Sequence, residues 1–339
     1  MRLLRRLSAA LRLQPRQPTP AVILMYHRIA TETYDPWRLC VTPANFAAQL
    51  DWLRDHYRVV PLRELAAECG TGSLTRGSVA ITFDDGYADN LLAGEPALRE
   101  RRLPATFFLT TSTLGTQRGF WWDELECLLM RPSPLPAMLR ISLDGWERSF
   151  ESGRAAAPCR PAREFRAVRP WKASPDSRLG YYYRIWDDLR SLDEPSRHEA
   201  LAQLRMQLGE PPTSISERRI LTHDEVRQLA RSPIADIGAH SVTHASFLRC
   251  APEHQRREMQ QSKDELESLL GHPVHGFAYP HGDYSPESAQ LARETGFEFA
   301  CTVEETPISA TTSVYLLPRL AVEDRGARAF AAQVRRAFG

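Results

Sequence analysis

The run SVAITFDDG (78–86) decides how this chain folds. Val79 to Phe83 is apolar or β-branched without a break, which is how a strand reads when both its faces are covered. It then meets two adjacent carboxylates and a glycine, Asp84-Asp85-Gly86. Working outward, six more runs have the same character: AVILMYH (21–27), ATFFLTTS (105–112), IADIGAHS (234–241), VHGFAYPHG (274–282), FEFACTVE (297–304) and SVYLLPRL (313–320). Helical stretches alternate with them. Thr42-Pro43 opens one as N-cap and first residue, with Phe46, Leu50 and Leu53 on one face. Thr222 to Glu225 is a capping box before Val226 and Leu229. Ser285-Pro286 starts another, which Gly296 stops, and Leu266, Leu269 and Leu270 mark an amphipathic helix over 264–270. Alternating strand and helix predicts an α/β fold with a parallel sheet.

The repetition breaks between about 120 and 220. That stretch holds Pro-rich patches (RPSPLP, APCRP), a hairpin pattern over 139–150 with Asp144-Gly145 as its turn, and a helical block over about 181–209. Little in it reads as catalytic, so it is expected to be an inserted helical and hairpin subdomain within a domain spanning 21–339. Residues 1–20 are basic, and their charges interrupt any apolar stretch; they read as a tail rather than a signal peptide, with peripheral membrane contact as the alternative. No apolar run approaches the length of a transmembrane helix. A cytoplasmic location is the expectation. The formal net charge is +1 from 43 Lys+Arg and 42 Asp+Glu, which argues against a nucleic-acid partner. Six scattered cysteines without a CxxC pair argue against a disulfide scaffold and a cysteine zinc site. Oligomeric state is not legible.

Polar residues concentrate at the predicted C-terminal ends of the strands, where α/β barrels carry their active sites. Asp84 and Asp85 point in different directions, so one can ligate a metal while the other stays free as a base. Alone, the pair reads equally as an acidic turn. His240 and His244 are spaced to share an ion from one face of a helical turn; alone they also read as solvated or core histidines. With one carboxylate they suit Zn²⁺ or another divalent transition metal. In FAYPHG (277–282), Tyr279, Pro280 and His281 could wall a site whose backbone N–H faces an oxyanion, or form a plain turn. Phe120, Trp121 and Trp122 read either as a sugar-stacking surface or as packing. Asp123 and Glu124 suit a helix N-terminus.

Taken together, TFDDGY (82–87), HSVTH (240–244) and FAYPHG resemble, in order and spacing, the first three motifs of the polysaccharide deacetylases of carbohydrate esterase family 4, the NodB-homology family. The resemblance covers roughly 21–115 and 220–325. It implies a distorted (β/α)7 TIM-like barrel, with Asp84 as general base, Asp85, His240 and His244 as metal ligands, and the His281 N–H in an oxyanion hole. The implied cofactor is one divalent ion, Zn²⁺ ahead of Ni, Co, Fe or Mn. Two departures stand out. Ala278 occupies the place of the family's third-motif arginine, and the late Leu-x-x-His motif is missing, its strand reading LLPRLAV (316–322). Met25-Tyr26-His27-Arg28-Ile29 instead resembles the branch of poly-N-acetylglucosamine deacetylases with circularly shifted motifs. On that resemblance His27 is the general acid, and Arg319 stands in for the lost arginine toward Asp84, His27 or substrate. The implied activity is metal-dependent removal of the N-acetyl group from an amino sugar in a bacterial polysaccharide or lipid-linked glycan. Another non-peptide amide hydrolase on the same barrel, and an inactive glycan-binding scaffold, are the alternatives.

Overall fold

The computed structural model describes residues 21–116, 119–158, 168–210, 218–306, 308–309 and 311–338. The basic tail 1–20 and two parts of the expected insertion lie outside them. From the start the chain forms β1 (Ala21–Tyr26), β2 (Arg28–Ile29), β3 (Cys40–Val41), α1 (Pro43–His56), β4 (Arg58–Val59), α2 (Leu62–Thr71), β5 (Ser78–Phe83), α3 (Glu95–Arg101) and β6 (Ala105–Leu109). Next come α4 (Trp121–Leu129), the hairpin β7 (Met138–Leu143) and β8 (Trp146–Glu151), α5 (Arg178–Leu189), α6 (Glu194–Leu208) and α7 (His223–Ala230). The last third is β9 (Ala235–Ala239), α8 (Pro252–Leu270), β10 (Gly276–Ala278), α9 (Pro286–Glu294), β11 (Phe299–Cys301), β12 (Leu320–Ala321) and α10 (Ala327–Phe338).

Seven parallel strands stand side by side in the order β11-β10-β9-β6-β5-β1-β12, with the short β4 pairing on β5. Each coincides with one of the seven apolar runs. The seventh run departs from expectation: only Leu320 of SVYLLPRL is strand, at the start of β12. Its earlier part meets β11 through a bridge between Cys301 and Leu317, and β12 pairs with β1, so this segment brings the two ends of the sheet together. The sheet thus curls into the expected (β/α)7-type barrel with helices around it.

Alternation along the strands sorts the side chains into two sets. Val22, Leu24, Tyr26, Val79, Ile81 and Phe83 join the large core that includes the helices. Ile23, Ala80, Phe108, Ala278, Phe299 and Leu317 form a second cluster together with Leu62, Leu65, Ala66 and Cys69 of α2. The two large rings there dictate glycine opposite them. A Cβ on Gly238 would lie 2.4 Å from Phe108, and one on Gly276 2.5 Å from Phe299. In the same phase as Ala80 come Thr82 and then Asp84, so the period of two aims Asp84 into the barrel.

The helices start as the sequence indicates. Thr222 Oγ1 accepts from Glu225 N (3.2 Å) while Glu225 Oε2 accepts from Thr222 N (2.8 Å), a closed capping box on α7. Ser285 caps α9. Thr42 precedes Pro43 as expected, but its hydroxyl donates to Asp324 instead of capping α1. The five described cysteines are free. No helix among the described residues is long and apolar enough to cross a membrane.

Candidate active site

Asp84 and Asp85 follow β5, His240 follows β9 and His27 follows β1, so strand register alone gathers them at one end of the barrel. Asp84 N donates to Tyr26 O (3.0 Å), which sets His27 abreast of Asp84. His240 N donates to Leu109 O at the end of β6 (2.8 Å). Asp85 would follow Phe83 outward by alternation, but its φ of +76° turns the backbone and brings its carboxylate inward. Asp85, Ser241, His244 and His281 are four of the six described non-glycine residues with positive φ. Strain of this kind persists only where the surroundings over-determine it, and here it is concentrated in the three motifs.

The histidine pair meets in a way the spacing did not suggest. Ser241 (φ +63°) and His244 (φ +56°) are left-handed, so HSVTH is an irregular loop and not a helical turn. Its shape is fixed from behind by Glu258 of α8, a buried carboxylate that accepts from Val242 N (2.9 Å), Thr243 N (2.8 Å) and Thr243 Oγ1 (2.9 Å). Ser241 Oγ accepts from His244 N (3.0 Å). His240 Nδ1 lies 2.8 Å from the Ala278 carbonyl, so that nitrogen carries the proton and Nε2 offers its lone pair toward Asp85 Oδ1, 3.6 Å away. His244 Nε2 is 3.3 Å from the same oxygen.

The donor set suits a divalent ion. One ligand atom each from Asp85, His240 and His244 lie within 4.8 Å of one another, and all three residues are buried. Burial lowers both imidazoles to about 4, so they are neutral, as ligands must be. Asp85 Oδ1 is buried without a hydrogen-bond donor, a costly state that an ion would relieve. One carboxylate and two imidazoles leave coordination positions for water and substrate.

Asp84 is held differently. Arg319, 1% exposed, donates from Nη1 to Asp84 Oδ1 (2.6 Å) and from Nη2 to Oδ2 (2.7 Å), while its Nε binds Thr302 O (2.9 Å). The guanidinium also lies over the Phe108 ring. Burial presses Asp84 toward the neutral form, but Arg319 and then His240 outweigh it and hold the carboxyl at about 2. Asp85 lacks that clamp, and burial raises its pKa against the pull of His27 and His240. Burial lowers the His27 imidazole, with Asp85 and Asp84 opposing.

A cavity of about 540 Å³ opens over these groups, lined by His27, Asp84, Asp85, His240, His244 and His281 among others. Tyr279 also reaches it, though its hydroxyl is spent on Tyr315 O (3.0 Å). Pro280 is buried, and neither it nor Arg319 lines this cavity. Arg319 is engaged with Asp84. Of the Phe120-Trp121-Trp122 set only Trp122 lines the cavity, stacked on Phe120 at 4.2 Å and 4.7 Å from the His244 ring. The rest of the aromatic wall was not visible in the sequence: Trp37, Trp171, Tyr183 and Trp186. Three of these come from the stretch that reads as chemically quiet. The YYYRIW context of Tyr183 and Trp186 looks like core periodicity, and no local signal marks them.

The sequence model of a family described as polysaccharide deacetylase matches residues 71–140 and 212–300. A curated Bacillus subtilis (strain 168) protein, "Putative polysaccharide deacetylase YxkH", is 28% identical over 109 residues, which is 32% of this chain. The match spans 39% of that relative's length. The fold matches the Streptococcus pyogenes deacetylase PplD in complex with acetate at a TM-score of 0.57, with 18% identity over 94% of this chain and 98% of PplD. It matches IcaB from Ammonifex degensii at 0.57 and 16% identity, covering 95% of this chain and 98% of IcaB. At such identities the agreement is one of fold.

Proposed function

Since the chain belongs to the polysaccharide deacetylase family, whose members are hydrolases of carbon–nitrogen bonds, we propose that it removes the N-acetyl group from an amino sugar of a bacterial glycan with the help of a divalent ion. The observation that carries this reading is the division of labour between adjacent carboxylates. Asp85 faces two neutral imidazoles with an oxygen to spare, while Asp84 is locked as an anion by a buried arginine.

An ion held by Asp85, His240 and His244, Zn²⁺ first among the candidates, would acidify a water and polarise the acetyl carbonyl. Asp84 takes the proton that the water gives up as it attacks. Arg319 weakens Asp84 as a base but fixes its orientation, and an acidified water needs only a weak acceptor. The loop at His281, left-handed at φ +58°, presents backbone to the developing oxyanion. His27, abreast of Asp84 at the end of β1, delivers the proton that the sugar nitrogen needs to leave. A positioned acid or base of this kind contributes on the order of 10²–10⁴ in rate.

The test is acetate release from N-acetylglucosamine oligomers by metal-loaded protein, chelated protein and Asp84→Asn. Release that needs metal and vanishes in Asp84→Asn supports the reading. Metal bound without release from any amide substrate sinks the hydrolase.

A further inference from the structure

The cavity has a second end that the chemistry above leaves unused. Arg38 Nη1 (3.1 Å) and Arg169 Nη2 (2.6 Å) converge on one oxygen of Glu323, and Arg325 Nη2 takes the other at 2.7 Å. Arg38, Arg169 and Glu323 all line the cavity together with Trp37 and Trp171. Three guanidiniums thus meet on one carboxylate, and exposed Glu305 at the same cavity and Asp35 are the other acids that act on Arg169. Structural pairing alone does not call for this: one arginine satisfies a glutamate, and like charges crowded on one oxygen repel.

The arginines are also held in place. Arg38 sits at φ +58°, strained for a side-chain-bearing residue. Of the two such residues outside the motifs, Arg102 ends α3, whereas Arg38 ends no helix. Arg169 lies against the Trp171 ring and donates to Trp37 O (3.2 Å). Trp171 in turn stacks on Trp37 and is half exposed. Aromatic faces give a sugar ring a platform, and guanidinium forks give a carboxylate or phosphate a bidentate partner.

We propose that Arg38 and Arg169, braced by Glu323 and flanked by Trp37 and Trp171, form an anion-recognising subsite that selects glycans carrying a carboxylate or phosphate near the N-acetylated sugar. This rests on the glycan reading of the cavity but not on turnover, so the two can fail separately.

The experiment is a titration followed by tryptophan fluorescence, with three probes: neutral N,N′-diacetylchitobiose, an N-acetylglucosaminyl-glucuronate disaccharide, and N-acetylglucosamine 1-phosphate. At least one anionic probe should bind about tenfold tighter than the neutral one, and which does so identifies the carboxylate or the phosphate source. The preference should fall to within about twofold in Arg169→Gln and return in part in Arg169→Lys, which keeps the charge but not the fork. If Arg169→Gln does not fold, raising NaCl to about 0.5 M on the wild-type protein takes its place, because screening should abolish the preference. Equal binding of neutral and anionic probes, or a preference that survives both Arg169→Gln and salt, overturns the proposal. Anion preference without acetate release from any probe would leave the subsite standing and refute the hydrolase.

Discussion

Arg319 and Asp84 meet in a two-bond fork, 2.6 and 2.7 Å, that ties the segment entering β12 to the end of β5 inside the barrel. The family resemblance looks for an arginine at position 278, where the chain has alanine. Here Arg319, in the segment entering β12, pairs with Asp84, and Ala278 serves through its carbonyl, which orients His240. Arg319→Gln should therefore cost activity and stability together. Leaving a buried carboxylate unpaired costs about 3–5 kcal/mol. Urea unfolding should show that loss, and Arg319→Lys, which restores a charge without the fork, should recover only part of it. A full-strength Arg319→Gln protein would mean that the pair does nothing for the fold.

The metal reading makes a prediction that does not depend on activity. Zn²⁺ should bind one per chain and raise the Tm, since it binds only the folded site. Asp85→Asn and His244→Gln should each abolish the thermal shift. Glu258→Gln touches no metal ligand, yet it releases the loop that carries His244 and should weaken Zn²⁺ binding by about 10–100-fold. Competition with a chromogenic chelator measures all four proteins. Unchanged affinity in Glu258→Gln would show that the HSVTH loop holds its shape without α8.

A pH prediction follows from the α7 cap. Glu225 is held at about 2 by Arg219, which grips both its oxygens at 2.7 Å, helped by Thr222 N, with burial opposing. Its folded pKa lies below its unfolded value, so its contribution is present in full above about pH 4.3 and is lost as pH falls through about 2. Glu225→Gln should cost about 1 kcal/mol near neutral pH, and the gap between variant and wild type should close as the solution is acidified. A gap that stays constant with pH would mean that packing rather than charge is responsible.

The sequence made six of the seven strands legible because strands covered on both faces are apolar without interruption, and the polar residues at their ends then stood out. Asp84, Asp85, His240 and His244 were readable for that reason. The shape of the HSVTH loop was not, since spacing of four suggests a helix and only the backbone reveals two left-handed residues. Glu258 looks like any acid in the middle of an exposed helix until its depth is known. Trp37 and Trp186, whose rings are 4.4 Å apart, come from distant parts of the chain, and each alone has the signature of an ordinary core aromatic. What local pattern cannot carry is the convergence of distant segments, and the wall of the cavity consists of little else.

His27 gives the sharpest test of the proton path. An amide nitrogen leaves only with a proton, whereas p-nitrophenolate leaves without one. If His27 is the acid, His27→Gln should slow de-N-acetylation by about 10²–10⁴ while changing p-nitrophenyl acetate hydrolysis only a few-fold. Zn²⁺ affinity should stay close to wild type, because His27 is not among the three clustered ligands. The wild-type amide rate should fall as pH rises and His27 loses its proton. Burial places that loss at lower pH than for an exposed histidine, although Asp85 and Asp84 hold it back. In His27→Gln this alkaline fall should disappear. Equal losses on amide and ester would move His27 from proton donor to a residue that shapes the cavity.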